Sequence, residues 1–400
     1  MFNKIIKANQ NIGKYLVKTP TKFSHALSDI ANKNIFVKYE NFQHTGSFKY
    51  RGALNKILSL NAHQRRKGVI AMSAGNHAQG VSLACKLLKI KSVIIMPNNT
   101  PFEKIRRNIE LGAQVEIFGD SVSESERHVD NLVKKYGYHK IHPFDDKSII
   151  YGQGTLMLEM LKEFPQLDTL VIPVGGGGLL SGCSIVAKHL NKKIKIIAVQ
   201  SENFPSFYNF FYNKKNSFGV SSIAEGIAVK KIGTVNKKIL KNLVDKCLLV
   251  KENKIEEAIS IFLLKDKTLV EGAGAIGLAA ILDGEIYKNS KNIGIIACGG
   301  NLDSRVLSSL LMRELVRKKK ILTLAIDMED KPGQLNKISN ICNREKINIL
   351  EIEHSRFTLD LSVRSARLNI TLETRNENQA KVIINKIKEL GLKVSEKKKN

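Results

Sequence analysis

Thr169-Leu170-Val171-Ile172-Pro173-Val174-Gly175-Gly176-Gly177-Gly178-Leu179 decides the fold. The apolar run 169–174, closed by glycines, reads as a buried strand, and the apolar-periodic stretch that follows to Leu190 reads as a helix. Four glycines between them leave backbone N–H groups free at the positive end of that helix, where a phosphate would be held. No Lys-Ser or Lys-Thr pair follows, so this is not a nucleotide P-loop, and the spacing is not that of a dinucleotide fingerprint. A glycine-rich turn used only for packing is the alternative.

Working outward, the same strand–turn–helix unit recurs on both sides. Residues 35–39 read as a strand. Val69-Ile70-Ala71-Met72 leads through Ser73-Ala74-Gly75-Asn76-His77 into a helix reaching Leu88. Strand 93–96 ends at Pro97, a helix runs from Pro101 to Leu111, and Gly112 stops it. Strand 115–118 is followed by a charged helix over 121–136. Farther on, 155–161 reads as helix, 194–199 as strand, 200–251 as a less regular stretch, 256–264 and 272–282 as helices, and 293–297 as a strand. That strand ends at Cys298-Gly299-Gly300-Asn301, before a helix over 303–315. Strands alternating with helices predict an α/β fold with parallel sheets and sites at the carboxyl ends of the strands.

Past the basic run Arg317-Lys318-Lys319-Lys320 the pattern changes. Strand 321–326, turn Asp330-Lys331-Pro332-Gly333, a helix marked by Leu335, Ile338, Ile341 and Cys342, strands 347–352 and 363–372, a helix over 380–390 and a last strand at 392–394 give the order βαββαβ. That is a ferredoxin-like module of about 80 residues. The expected domains are therefore 1–316, with a smaller lobe near 50–150 inserted in a larger one, a linker at 317–320, and 321–400.

Ser47-Phe48-Lys49-Tyr50-Arg51-Gly52-Ala53 carries the candidate nucleophile. Lys49 follows an aromatic ring and the turn His44-Thr45-Gly46, and it opens an apolar-periodic run, Ala53, Leu54, Ile57 and Leu58. A desolvated lysine at a loop-to-helix junction can lose its proton and form a Schiff base with an aldehyde. Taken alone, a lysine among 64 Lys and Arg residues is a solvated charge. A phosphate cup beside a Schiff-base lysine points to pyridoxal 5'-phosphate, which carries both an aldehyde and a phosphate.

Bulk properties exclude other classes. Four hundred residues with 43% apolar content imply more than one domain and a large core. Cys85, Cys183, Cys247, Cys298 and Cys342 are odd in number and form no CxxC pair, which argues against disulfides and zinc and fits a reducing cytoplasm. The first twenty residues are broken by Lys4, Lys7, Lys14 and Lys18, unlike a signal peptide, and no run reaches the roughly 18 apolar residues of a membrane span. A soluble, cytoplasmic protein is expected. The net charge of +27 raises nucleic acid as a partner. The basic residues, however, are mostly Lys, spread along the chain, and free of aromatic interleaving, so a solvated surface is expected instead. His63, His128 and His142 have no metal or triad spacing and read as surface or packing residues.

The chain resembles the fold type II (tryptophan-synthase-β-like) pyridoxal-phosphate enzymes and, within them, the threonine/serine dehydratases. The matching stretches, in family order, are those around Lys49 and Asn76, Gly152-Gln153-Gly154-Thr155, the glycines 175–178 with Leu179, Ala224-Glu225-Gly226-Ile227-Ala228, Glu271-Gly272-Ala273-Gly274-Ala275, and Cys298-Gly299-Gly300-Asn301. The terminal module resembles an ACT domain. The resemblance implies a two-lobed catalytic fold and β-elimination of water from L-threonine, giving 2-oxobutanoate and ammonia, with L-serine as a second substrate. It assigns Lys49 to the cofactor's aldehyde and to α-proton removal, and Phe48 to the ring packed beside the cofactor. Asn76 falls to the cofactor's ring hydroxyl; Ser73, Asn76 and His77 to the loop receiving the substrate carboxylate. Gly175, Gly176, Gly177, Gly178 and Leu179 match the phosphate cup. Cys298 takes the place facing the pyridine nitrogen, where many relatives carry Ser; a buried small Cys is the other reading. The ACT turn, with Asp330, Pro332 and Gly333, is the place for an amino-acid effector, and a homo-oligomer, dimer or tetramer, is the expected assembly.

Departures from the family matter too. Related serine racemases carry Ser, their second base, at the position of Ala74, so racemisation is expected to be minor. Their divalent-ion carboxylates fall here on Gln200 and Ser206, which argues against that metal site. Glu225 replaces a common Asp and receives no role. The alternatives are dehydration of another β-hydroxy amino acid such as 3-hydroxyaspartate, a catalytically silent amino-acid sensor, and a basic nucleic-acid binder.

Overall fold

In the computed structural model, which describes residues 1–120, 122–284, 286–356 and 359–397, the stretch 169–178 is strand, glycine turn and helix as the sequence predicts. The chain divides into two compact units, Met1–Leu302 and Asp303–Asn400.

The strands of the first unit are β1 (Thr21–Phe23), β2 (Asn34–Tyr39), β3 (Val69–Met72), β4 (Ser92–Met96), β5 (Gln114–Ile117), β6 (His139–Lys140), β7 (Thr169–Pro173), β8 (Lys195–Ser201), β9 (Lys246–Val250) and β10 (Asn292–Ala297). They form two sheets. The larger has the order β1-β2-β10-β7-β8-β9 and is parallel except for β1; the smaller, β5-β4-β3-β6, is parallel throughout. Continuous apolar strands buried on both faces, such as Thr169–Pro173 and Ser92–Met96, are what parallel sheets covered by helices require.

Three helices cross behind the site, and glycines set their spacing. Lys49–Leu58 meets Lys147–Glu163 where Gly152 faces Gly52; a Cβ on Gly152 would lie 2.6 Å from the Gly52 Cα. Lys147–Glu163 meets Gly178–Leu190 where Gly154 faces Gly182, a Cβ there lying 2.9 Å from the Gly182 carbonyl oxygen. Gln153 Oε1 accepts from the Gly52 N–H at 3.1 Å. The helix predicted from 155 thus begins at Lys147, with Gly152 and Gly154 inside it as helical contact points.

The stretch expected to be less regular contains helices Ser206–Tyr212 and Thr234–Leu240 and the edge strand β9. An unpredicted helix, Phe2–Ile12, buries Ile5, Ala8 and Ile12. Among the described residues, no helix is long and apolar enough to cross a membrane.

In the second unit, helix Ser304–Arg317 precedes β11 (Ile321–Glu329), β12 (Asn348–Ser355), β13 (Ser365–Glu373) and β14 (Lys393–Glu396), with helices Gln334–Arg344 and Glu377–Glu389. The sheet is antiparallel in the order β12-β13-β11-β14, the split-βαβ arrangement. Its core is Leu322, Leu324, Ile326, Ile338, Leu368, Ile370, Leu372, Ile383 and Ile387. The division between units falls ahead of the expected linker at 317–320. The basic run instead closes a helix: the N–H groups of Lys318 and Lys320 donate to the carbonyls of Glu314 and Leu315.

Candidate active site

Lys49 is held by main-chain pairing between two distant segments. Ser47 bridges Gly299, the Phe48 N–H donates to the Cys298 carbonyl at 3.1 Å, and the Gly300 N–H donates to the Gly46 carbonyl at 2.9 Å. The helix Lys49–Leu58 then starts at once, with Ala53, Leu54 and Ile57 buried on one face. Two residues into it, Arg51 is wholly buried. It donates to Glu40 at 2.8 Å through Nε and Nη2, and to Glu159 at 2.6 Å through Nη1. Buried Lys38 donates to Glu159 at 2.6 Å. Two cations and two carboxylates balance, which lets charge persist in the core and locks the first turn after Lys49.

The Lys49 amine donates to the Pro143 carbonyl at 3.1 Å and lies 5.4 Å from the centre of the Phe48 ring. Loss of water is the dominant cause and pulls its pKa down to about 8. The Cys298 thiol is 2% exposed, and burial raises its pKa well above the ordinary value, so it is neutral.

The glycine loop lies beside the same segment. Phe144, next to Pro143, packs so closely that a Cβ on Gly176 would fall 2.3 Å from its ring, and one on Gly178 3.1 Å from its Cβ. Gly177 has φ +103°, which side chains rarely adopt. Asp145 accepts from the N–H groups of Thr234 and Val235 at 2.8 and 2.9 Å, and Asn236 Nδ2 donates to the Phe144 carbonyl at 3.0 Å, so the loop's far wall is fixed. Among the described residues, the N–H groups of Gly175, Gly176, Gly177 and Gly178 donate to no other group. Unpaired amides gathered at a helix N-terminus, next to a half-desolvated amine, suit a ligand with a phosphate and an aldehyde.

Asn76 opens the helix Asn76–Leu88. Its Nδ2 donates to Glu271 Oε1 at 2.8 Å, and its Oδ1 accepts from Asn301 Nδ2 at 2.7 Å. Burial lifts the Glu271 carboxyl to about 7, although the Asn76 hydrogen bond pulls the other way. His77 is buried, and its Nε2 meets the Ile141 carbonyl at 3.0 Å. Because a carbonyl only accepts, Nε2 carries the proton; desolvation drives the pKa down to about 3, so the ring is neutral. Its Nδ1 is buried without a partner. Ser73 Oγ accepts from the Gly75 N–H at 3.2 Å and shapes the turn.

The structure thus brings Lys49 and Phe48 against Cys298, the glycine loop against Phe144 beside the Lys49 partner Pro143, and the Asn76 amide within 3.1 Å of a Cβ placed on Gly299; Ser73 and His77 lie on either side of Asn76 in the chain. Leu179, 6% exposed, is the second residue of the helix behind the loop. Asp330, Pro332 and Gly333 belong to the other unit. There Gly333 has φ +87° ahead of helix Gln334–Arg344, and Arg356 Nε donates to the Asp330 carboxylate at 3.0 Å.

The chain matches the model of the "Pyridoxal-phosphate dependent enzyme" family over residues 12–299 and that of the ACT domain over 322–392. The chain belongs to the pyridoxal-phosphate-dependent enzymes. It is 36% identical over 381 residues to an L-threonine ammonia-lyase of Thermotoga maritima, covering 95% of each chain. Among solved structures it is similar to a processed threonine deaminase isoform from Solanum lycopersicum, with a TM-score of 0.73 and 32% identity over 78% of this chain and 87% of that one. A maize serine racemase gives the same TM-score at 33% identity, covering 79% and 98%.

For a pyridoxal-phosphate enzyme, the free amides of the loop and the amine of Lys49 fit the cofactor's two reactive ends. Several neighbours were not read from the sequence. Phe144 and Asp145 sit in His142-Pro143-Phe144-Asp145-Asp146, whose Pro and paired Asp mark a structured turn. His142 Nδ1 accepts from the N–H groups of Phe144 and Asp145 at 3.2 and 2.8 Å, so it organises this turn rather than lying loose. Glu225 pairs with Lys104 at 2.8 Å. Gln200, expected from the resemblance to stand where a metal ligand would, is buried; it donates to the Val174 carbonyl and Ser206 Oγ and accepts from the N–H groups of Phe207 and Tyr208.

Proposed function

We propose that the chain is a threonine ammonia-lyase that converts L-threonine to 2-oxobutanoate and ammonia and also deaminates L-serine to pyruvate. The observation that carries this reading is the likeness to the Thermotoga maritima enzyme, which spans both units rather than the catalytic fold alone. When bound, pyridoxal 5'-phosphate supplies an aldehyde that captures amines and a ring that accepts electrons. The chain's own residues do the rest. Lys49 would hold the aldehyde and, when displaced by the substrate's amino group, would take the α-proton. The amides of 175–178 would hold the phosphate, Asn76 would serve the ring oxygen, and the 73–77 turn would receive the carboxylate. The β-hydroxyl would leave as water with one proton, balancing the one taken by Lys49; Lys49 would then recapture the aldehyde and free the enamine, which tautomerises and takes up one water, giving the keto acid and ammonia.

Two features favour elimination over racemisation. Ala74 has no proton to transfer, and the neutral Cys298 thiol offers the ring nitrogen no fixed anion. The ACT unit is proposed to bind an amino-acid effector at the 330–333 turn, supported by the left-handed Gly333 and the anchored Asp330. A homo-oligomer is proposed as well: β12 is an edge strand with Leu350 and Ile352 48% and 43% exposed.

The test is direct. Purified protein with pyridoxal 5'-phosphate is given L-threonine, L-serine and 3-hydroxyaspartate, and keto acid is measured. Threonine should have the highest kcat/KM; a clear preference for 3-hydroxyaspartate would replace the substrate assigned here. Isoleucine and valine titrations and sedimentation velocity test the effector and the assembly.

A further inference from the structure

A chain of hydrogen bonds runs from the helix Phe102–Glu110 through Asn301 to Asn76 and Glu271, and its direction is fixed. Arg107 Nη1 lies 2.9 Å from Asn301 Oδ1. Asn301 Nδ2 lies 2.7 Å from both the Thr45 carbonyl and Asn76 Oδ1. Asn76 Nδ2 lies 2.8 Å from Glu271 Oε1. A guanidinium only donates and a carbonyl only accepts, so Asn301 has one permitted orientation, with its oxygen on Arg107 and its two N–H bonds on Thr45 and Asn76. Asn76 must then turn its oxygen to Asn301 and one N–H to Glu271. A single N–H of the Asn76 amide remains.

We propose that Asn301 and Glu271 are positioning residues: they clamp the Asn76 amide so that it can offer the cofactor's ring oxygen a hydrogen-bond donor and never an acceptor. The inference rests on the reading above that Asn76 faces that oxygen. An oxygen that can only accept here is favoured as its anion, the form that gives the bound cofactor its yellow colour; an amide free to turn its own oxygen inward favours the protonated, near-ultraviolet form. Glu271 adds a second constraint. Its main-chain N–H donates to the Gly299 carbonyl at 2.9 Å, and a Cβ on Gly299 would fall 2.5 Å from its carboxylate, so the acceptor that Asn76 needs is held against the segment that carries Cys298. Arg107 anchors the far end from the smaller lobe.

The test uses the full-length protein loaded with pyridoxal 5'-phosphate. The spectrum is recorded, the bound cofactor is fixed by borohydride, and Lys49 occupancy is measured by peptide mass. Asn301→Asp keeps the acceptor for Arg107 but removes both N–H donors. It should retain the cofactor on Lys49 while the ratio of yellow to near-ultraviolet absorbance falls about fivefold, the equilibrium weight of one ordinary hydrogen bond. Asn301→Ala, which adds no charge, should shift the ratio the same way and serves where the aspartate variant does not fold. A variant with full Lys49 occupancy and an unchanged spectrum overturns the proposal. So does a fall in cofactor affinity with no spectral shift, the mark of a merely structural role. Failure of the wild-type protein to carry the cofactor on Lys49 would instead overturn the functional reading itself.

Discussion

The main-chain N–H of Phe48 donates to the carbonyl of Cys298 at 3.1 Å, so Lys49 and Cys298, far apart in sequence, are held beside the small bridge between Ser47 and Gly299. The thiol is neutral because it is buried. Cys298→Ser keeps a neutral group there and should hold kcat for threonine within about threefold, whereas Cys298→Asp places an anion at the position proposed to face the ring nitrogen and should lower kcat by about tenfold or more. Steady-state assays of both variants check this.

Desolvation holds Lys49 near a pKa of about 8, below its ordinary 10.5. The unfolded chain therefore binds more protons between these values, and the cofactor-free protein should gain stability as pH rises through that window. Lys49→Met removes the desolvated charge and should stabilise the cofactor-free protein at pH 7 by about 1–2 kcal/mol, a figure reduced because Lys49 is only partly buried. The gain should fade by about pH 10.5. Urea unfolding at several pH values measures it.

Arg51 and Glu40 are both fully buried. Arg51→Met leaves Glu40 and Glu159 without their shared partner and should cost about 3–5 kcal/mol. Arg51→Lys should recover only part of this, since an ammonium cannot serve both carboxylates in the same fork. Chemical denaturation of the two variants gives the comparison.

A methyl on Gly176 would collide with the Phe144 ring. Gly176→Ala should destabilise the protein by about 1–3 kcal/mol, the range for overpacking, and weaken cofactor binding. Gly176→Ala with Phe144→Ala should relieve the collision, seen as a higher midpoint of thermal unfolding than Gly176→Ala alone.

Much of this architecture was legible because parallel strands are short, apolar and punctuated: 69–72, 93–96 and 169–174 stand out against their turns. The start of the helix at Lys147, ahead of the expected Thr155, was not legible, since only the crossing of three helices shows why Gly152 and Gly154 are needed inside one. The edge strand Lys246–Val250 was hidden in a Lys-rich, weakly patterned stretch, and Phe2–Ile12 shows only a sparse apolar face at Ile5, Ala8 and Ile12. In the site, Lys49 and the glycines 175–178 carry chemistry in their own types and spacing. Phe144, Glu271 and Asn301 do not; each is defined by what a distant segment brings against it.

The strongest test is to reduce the cofactor-loaded protein with borohydride, map the label, and assay Lys49→Ala for 2-oxobutanoate release. Label on Lys49, with both the yellow absorbance and threonine turnover lost in the variant, is the expected result. Label on another lysine, or a Lys49→Ala protein that still turns over threonine at the wild-type rate, would contradict it.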